Sequence, residues 1–455
     1  MSNFSPQSLF PLLRQHPKTK RYCVAYSGGV DSTVLLHAMV SLKHQLVTEQ
    51  LLSGESCPEI SAVYVDHNLQ IESKQWSDHC RTVCDQLGIS FVSLSANIVI
   101  EQGDSLEEKA RESRYALLAS RIEEGDVLLT AQHQDDQAET FLLQALRGAG
   151  PKGLASMPEV KVFSKGLHMR PLLSFKKHDL VSYAKEKSLD WIEDPSNQQM
   201  HFQRNYLRQK VFPLLNEAWP GASEALSRSA QHCAVSVNLL NELASIDAEA
   251  VLNADQTLSR SAFNRLSLER RANLLRYCLS IQDLRVPGQR RLEQIIYQLE
   301  TSAEDKSPMI SWPGAEIRCY RDKVYLMSPL VQIDESKVLA WRLNEALELD
   351  DGLLVANQTQ ESGLLLPEDA ELEVRFRQGG ERCRPTGQKQ SRELKTLFQE
   401  WGVPQWLRAR IPLIYYNGAL IAVAGYCLCQ ATTDGAEEPG WQFEWQSGCL
   451  SEDEY

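Results

Sequence analysis

Three absences narrow what this sequence can be. It has no long unbroken apolar run: the longest, Ile411 to Cys429, is interrupted at Asn417-Gly418, a pair that favours a type I′ turn. That run therefore reads as two strands of a hairpin, and no membrane span is expected. No basic segment followed by an apolar one stands near residue 1, so no secretory leader is expected either. It also has no cysteine pair of the CxxC kind. The eleven cysteines are scattered, and the closest are Cys80 with Cys84 and Cys427 with Cys429. This argues against a disulfide-framed secreted domain and against a CxxC metal or cluster site; both close pairs read as small buried hydrophobes, and the thiols as reduced, in the cytoplasm. Finally, excess positive charge is missing. The net charge is −13, which excludes a general nucleic-acid coat but not a local basic footprint.

What is present is an ordinary globular composition over 455 residues, 43% hydrophobic and 24% charged, enough for two or three domains. Positive charge is concentrated in two stretches. Residues 161–212 hold ten Lys/Arg against five Asp/Glu, and residues 371–412 hold nine against five.

The first 130 residues alternate short apolar strands with helically spaced segments. Strands are expected at Tyr22–Tyr26, Ile60–Val65, Ile89–Leu94 and Val127–Ala131. Helices are expected at Ser32–Gln45, Ser73–Leu87 and Ser105–Glu124, the last opening on a capping box from Ser105 to Glu108. This alternation predicts an α/β fold, a doubly wound parallel sheet whose ligands bind beyond the carboxyl ends of the strands. From Val211 to about Glu300 the pattern is helical, and after about Ile310 it becomes short β segments. Residues 334–370 are acidic and turn-rich, as a linker would be. Three domains are expected: 1–215 catalytic, 216–333 mainly helical, and 334–455, an acidic linker followed by a small α+β domain with its core at about 368–432.

Two motifs carry chemistry. "AYSGGVDST", residues 25–33, joins the first strand to the first helix. A glycine corner there brings free backbone N–H groups and the positive helix end to one point, which suits phosphate. Gly28 and Gly29 permit close approach, and Ser27 and Ser32 add hydroxyls. Asp31 would repel phosphate unless a Mg²⁺ or an amine neutralised it. The lysine of a Walker A loop is absent. The second motif, His133-Gln134-Asp135-Asp136-Gln137-Ala138-Glu139, leaves the same edge of the sheet from the fourth strand. Asp135 or Asp136 shares a helix face with Glu139, a carboxylate pair able to hold Mg²⁺ or an ammonium group. By contrast Gly148-Ala149-Gly150-Pro151-Lys152-Gly153, a literal match to a dinucleotide-binding pattern, follows a helix rather than a strand and reads as a helix-ending loop.

"AYSGGVDST" resembles the PP-loop of the N-type ATP pyrophosphatases, of the adenine nucleotide alpha hydrolase-like fold. The longer stretches "EEKARESRYALL", "TAQHQDDQAETFLLQALRGAGPKGLASM", "RPLL", "WIEDPSNQQMHFQRNYLRQKVFPLL" and "RFRQGGERCRPTGQKQSRELKTLFQE", in that order, resemble the bacterial tRNA(Ile)-lysidine synthetases, over most of the chain. The resemblance implies an ATP-dependent ligase that joins free L-lysine to the wobble cytidine of a CAU-anticodon tRNA(Ile), through an adenylated cytidine. It implies ATP and Mg²⁺ at Ser27, Gly28, Gly29, Val30, Asp31 and Ser32, with Asp31 as the candidate metal ligand. Val65 and Asp66 would lie near adenine and ribose, and His133 would touch the phosphates or order the loop. Asp136 and Glu139 would hold the lysine amine, and Arg111 or Arg114 its carboxylate. The tRNA would meet Arg204 and Arg208, then Arg375, Arg377, Arg382, Arg384, Lys389, Arg392 and Lys395. Trp191 reads as a core aromatic. The oligomeric state stays open, a homodimer included. Two other readings compete: a PP-loop tRNA thiolase, which would want a CxxC pair or a catalytic cysteine, and a non-catalytic tRNA-binding protein, which would not need Asp31 or Asp136.

Overall fold

The computed structural model describes residues 4–53, 58–66, 73–96, 106–195, 200, 203–302, 308–360, 363–429 and 440–447. The chain divides into two compact units, residues 1–239 and 240–455. No described helix is long and apolar enough to cross a membrane.

In the first unit the order is α1 (Phe10–Arg14), β1 (Arg21–Ala25), α2 (Val30–Ser53), β2 (Glu59–Asp66), α3 (Ser73–Leu87), β3 (Ser90–Ser95), α4 (Leu106–Ala119), β4 (Asp126–Leu129), α5 (Gln134–Leu146), α6 (Pro151–Leu154), β5 (Val160–Phe163), β6 (Gly166–Met169), α7 (Lys177–Glu186), α8 (Gln203–Tyr206), one π-helical turn (Leu207–Val211), α9 (Phe212–Ala218) and α10 (Ala222–Val251). The sheet runs β3-β2-β1-β4-β6-β5, parallel except for β5. All four expected strands are present within a residue or two. Their uninterrupted apolar character follows from cover on both faces. On one side Val24 and Leu129 pack with Val34, Leu35, Met39 and Leu180; on the other Cys23, Val63 and Leu128 pack with Leu118 and Ile122. Cys80 and Cys84 are fully buried among the apolar side chains, as read from sequence. Trp191 packs against the same core. The capping box falls on Ser105, outside the described residues.

The β5–β6 hairpin has no counterpart in the sequence reading, because β5 is an edge strand with Val162 turned outward, 78% exposed. The literal dinucleotide pattern is a helix-ending turn, with Gly148 at φ +70° and Pro151 opening a new short helix.

The second unit holds β7 (Leu258–Ser259), α11 (Arg260–Asn264), α12 (Leu268–Ile281), α13 (Gln289–Thr301), β8 (Met309–Trp312), β9 (Ala315–Tyr320) and β10 (Lys323–Met327). The helices and the sheet β7-β10-β9-β8 share one core around Phe263, Leu275, Ile295 and Ile317. There follow β11 (Val338–Arg342), β12 (Leu347–Leu349), β13 (Gly352–Thr359), β14 (Glu371–Arg375), β15 (Arg382–Cys383), β16 (Arg392–Glu393), α14 (Leu394–Glu400), β17 (Leu413–Tyr416), β18 (Ala419–Val423), β19 (Cys427–Leu428) and β20 (Gly440–Ser447). The stretch expected as linker thus contains three strands. β13 pairs with β20 over its whole length, and Trp341, Leu354 and Leu364 enter a core there, which acidic composition concealed. The expected hairpin is β17–β18, with Asn417 and Gly418 both left-handed at φ +50° and +77°. One cysteine reading is corrected. Cys383 and Cys429 form a disulfide, with Cys427 beside them, because the fold brings together residues 46 apart in sequence.

Candidate active site at the carboxyl edge of the sheet

β1 pairs with β2 on one side and with β4 on the other, so the chain reverses its direction of winding at β1 and β4. A crevice forms at such a switch point, and both motifs open into it. The glycine corner is held by its own hydroxyls. Ser32 Oγ donates to the Gly29 carbonyl (3.0 Å) and accepts from the Ser27 N–H (3.3 Å), and Thr33 Oγ1 also donates to Gly29 (3.0 Å). Ser32 therefore closes the corner instead of acting as a simple helix cap. Gly28 has φ +79°, and a Cβ there would stand 3.0 Å from Ile192 Cδ1 and 3.1 Å from Cys80 Sγ. The Ile192 N–H donates to the Gly28 carbonyl (2.8 Å), so the 192 segment lies over the loop. Only glycine satisfies both the backbone and the space.

Asp31, on the first turn of α2, connects the two motifs. Its Oδ2 is 3.6 Å from His133 Nε2 and 3.9 Å from Lys177 Nζ. Burial alone would raise its pKa, but His133, Lys177 and Arg208 outweigh burial and hold it below the usual carboxylate range. His133 caps α5 and is buried, with Asp136 Oδ2 at 3.4 Å from its Nε2 and Asp135 Oδ2 at 3.7 Å from its Nδ1. Burial lowers its pKa, yet Asp136, Asp31 and Asp135 together raise it above the ordinary histidine value.

The carboxylate pair is already engaged. Arg208 grips Glu139 with two bonds, Nε to Oε1 at 2.7 Å and Nη2 to Oε2 at 2.9 Å, and reaches Asp136 Oδ1 at 3.1 Å. Glu139 is only 2% exposed; its burial raises its pKa against the pull of Arg208. Arg204 points to Thr140 Oγ1 at 3.3 Å. Both arginines expected at tRNA thus turn toward α5. Glu139, Arg208, Gln134, Asp135 and Lys177 border a cavity of about 540 Å³.

Other expected residues are more peripheral. Val65 and Asp66 end β2 half-buried, with the Asp66 carbonyl accepting from the Ala96 N–H (2.7 Å). The Arg111 guanidinium stacks 5.0 Å over the Tyr115 ring. It belongs to a positive cluster with Lys161 and Arg170, whose field joins burial in pushing the His168 pKa down to about 3. Burial and the neighbouring Arg111 lower the Arg114 pKa, against the pull of Tyr115, Tyr64 and Asp194. His168 and Lys177 escaped the sequence reading, and Arg170 entered it only as the first residue of "RPLL", without a role. His168 sits on the unforeseen β6, and Lys177 was visible only as part of a basic stretch.

In the last part of the chain, the basic side chains are mostly answered by neighbouring acids. Arg375 pairs with Glu373 and lies 4.6 Å over Tyr415. Arg377 faces Glu381 at 3.8 Å, Arg382 faces Glu393 at 3.9 Å, and Arg392 pairs with Glu400. Arg384, Lys389 and Lys395 are exposed and make no ion pair among the described residues.

This corner matches a family model for a PP-loop domain over residues 5–215, so the first unit is an ATP-binding PP-loop enzyme domain. Models for a TilS substrate binding domain and a TilS substrate C-terminal domain match residues 258–325 and 372–445. The chain is 39% identical over 446 residues to the tRNA(Ile)-lysidine synthase of Coxiella burnetii, covering 97% of both. It is 39% identical over 428 residues to that of Methylococcus capsulatus, covering 93% of this chain and 95% of the relative. The chain belongs to the tRNA(Ile)-lysidine synthase family. Among solved structures, the U34-tRNA thiolase NcsA from Methanococcus maripaludis aligns with 50% of this chain and 76% of its own, at 14% identity and a TM-score of 0.41.

Proposed function

We propose that the chain makes lysidine by joining free L-lysine to C2 of the wobble cytidine of a CAU-anticodon tRNA(Ile). Two steps at the edge of β1 and β4 accomplish this. First the cytidine O2 attacks the α-phosphate of ATP and pyrophosphate leaves, which turns a poor electrophile into one with AMP as leaving group. Then the lysine ε-amine, as free base, attacks C2. The C2–O bond breaks, AMP departs with that oxygen, and a proton passes from the amine to a nearby carboxylate. Lysidine pairs with adenosine, which moves codon reading and charging from methionine to isoleucine.

The observation that carries this reading is the contact of Asp31 with His133, which unites the phosphate corner and the acid pair in one site. Ser27, Gly28, Gly29, Val30, Asp31 and Ser32 cradle the phosphates, while Val65 and Asp66 border the nucleoside. Asp31 Oδ1 is buried without a hydrogen-bond partner, which fits a hard cation. Mg²⁺ held there would offset the negative charge of the phosphates. Asp136 and Glu139 receive the lysine ammonium in place of Arg208, which occupies them in the free protein. Arg111 or Arg114, which lie close enough for the one to act on the other, meets the lysine carboxylate. Arg204 and Arg208 lie closest to the wobble base, and the basic residues of the last domain meet the tRNA elsewhere. A reaction on free lysine, ATP and tRNA belongs in the cytoplasm.

Oxygen-18 placed at O2 of the wobble cytidine tests the order of events. Recovery of the label in the AMP phosphate is expected. Unlabelled AMP would mean that ATP activates something other than the base.

A further inference from the structure

In the last domain Cys383 ends β15, Cys427 begins β19, and Cys429 follows it; their three sulfur atoms lie within 4.8 Å of one another. We infer that, once reduced, they form a three-thiolate site for a thiophilic d¹⁰ cation, Zn²⁺ in the first place. This inference stands apart from the ligase reading.

Zinc–thiolate bonds of about 2.3 Å in a tetrahedral site set neighbouring sulfurs roughly 3.8 Å apart. Cys427 Sγ stands 3.6 Å from Cys383 Sγ and 3.9 Å from Cys429 Sγ, so two of the three edges already have that length. The third edge is closed by the Cys383–Cys429 bond. Two electrons from a dithiol, oxidised to a disulfide, or from a phosphine, oxidised to its oxide with the oxygen of a water molecule, convert that bond into two thiols; the two protons come from the dithiol or from that water. Zn²⁺ then replaces the three S–H protons and leaves one net negative charge on the centre. Such a centre stands next in sequence to Arg382 and Arg384.

The surroundings suit an ion as well. Leu394, Leu397, Phe398 and Val423 shield the sulfurs on one side. On the other, Cys427 lines a cavity of about 380 Å³ with Gly425, Tyr426, Phe443 and Glu444, which gives a route inward and room for water as fourth ligand. No histidine and no further cysteine joins the three among the described residues. The ligand set spans 46 residues, a separation that no short motif would reveal.

The site would also fix a basic loop. Residues 384–391 leave Cys383 carrying Arg384 and Lys389, and Thr386 binds them to β19 through its N–H (3.0 Å) and its Oγ1 (3.1 Å) on the Leu428 carbonyl. A metal bridging Cys383 to Cys427 and Cys429 would hold this loop with all three sulfurs, where the disulfide uses two.

The test uses the full chain, reduced with a phosphine, freed of metal by a chelator and exchanged without oxygen. Titration with Co²⁺ should give thiolate-to-cobalt charge-transfer absorption and intense visible bands, saturating at one equivalent and abolished by one equivalent of Zn²⁺. Cys383→Ser, Cys427→Ser and Cys429→Ser should each lose these bands, whereas Cys233→Ser, outside the cluster, should keep them. Cys427→Ser leaves the disulfide pair intact, so a thermal melt in its oxidised form shows that it folds. Reduced wild type without charge-transfer bands would overturn the inference. So would a folded Cys427→Ser variant that binds cobalt as wild type does, since the cysteines would then be a disulfide pair only.

Discussion

The two charged regions of this molecule are built on opposite plans. At the sheet edge, Asp31, His133, Asp136, Glu139 and Arg208 form a single interlocked network, and its central members are almost withdrawn from water. Asp31, His133, Glu139 and Arg208 are each shifted by their charged neighbours. In the last domain the basic side chains expected at tRNA are exposed or half-buried, most of them paired with an acid close by, and three of these cations have no such partner among the described residues. Buried charge is costly and persists where it does specific work, whereas exposed pairs contribute about 0–1 kcal/mol each. On the proposed reading, the first plan serves the chemistry and the second the recognition of a large polyanion.

Substitutions that hit one plan should leave the other alone. Asp31→Ala removes the link between phosphate corner and acid pair; turnover should fall by about 10² or more, the scale for a preorganised electrostatic group. Its tRNA affinity should stay close to wild type in a filter-binding assay, and a matching drop in affinity would break the division. Glu139→Gln strips Arg208 of its bidentate partner. It should raise KM for lysine and lower stability by about 2 kcal/mol, the range for a charge-assisted bond. Denaturant melts and lysine titrations read the two effects separately.

His133 offers a pH signature. Its folded pKa is raised, so its contribution to stability is complete below the ordinary histidine pKa of about 6.5 and is lost as pH climbs through the higher folded value. Unfolding free energy of the wild type should therefore decline over that window, and His133→Gln should flatten it. An unchanged slope in the variant would remove His133 from the network. The smallest effects belong to the surface. The triple change of Arg384, Lys389 and Lys395 to Ala should weaken tRNA binding and reduce the salt slope by roughly one for each phosphate no longer neutralised. Lysine KM should not move. Lys389→Ala alone should cost only a few-fold.

What could be read from the sequence differs along the same line. The sheet was legible because parallel strands covered on both faces are plain apolar runs, and the corner because Gly28-Gly29 has few other uses after such a strand. That Asp136 and Glu139 share a helix face followed from spacing. That Arg208 closes over them did not, since 69 residues separate it from Glu139. The β5–β6 hairpin left no mark because an edge strand need not be apolar, and with it His168 went unseen. Residues 334–370 misled by composition. Their exposed positions are acidic, while a few side chains such as Trp341 and Leu354 build the core. Cysteine spacing along the chain likewise hid the meeting of Cys383 with Cys427 and Cys429.

The most direct test of the account supplies the purified chain with ATP, Mg²⁺, radiolabelled lysine and an unmodified CAU-anticodon tRNA(Ile) transcript, and counts label in acid-insoluble RNA. The account predicts transfer that requires ATP and disappears when the wobble cytidine is replaced or Asp31 becomes Ala. Transfer that survives replacement of the cytidine, or pyrophosphate release without any lysine on the RNA, would contradict it.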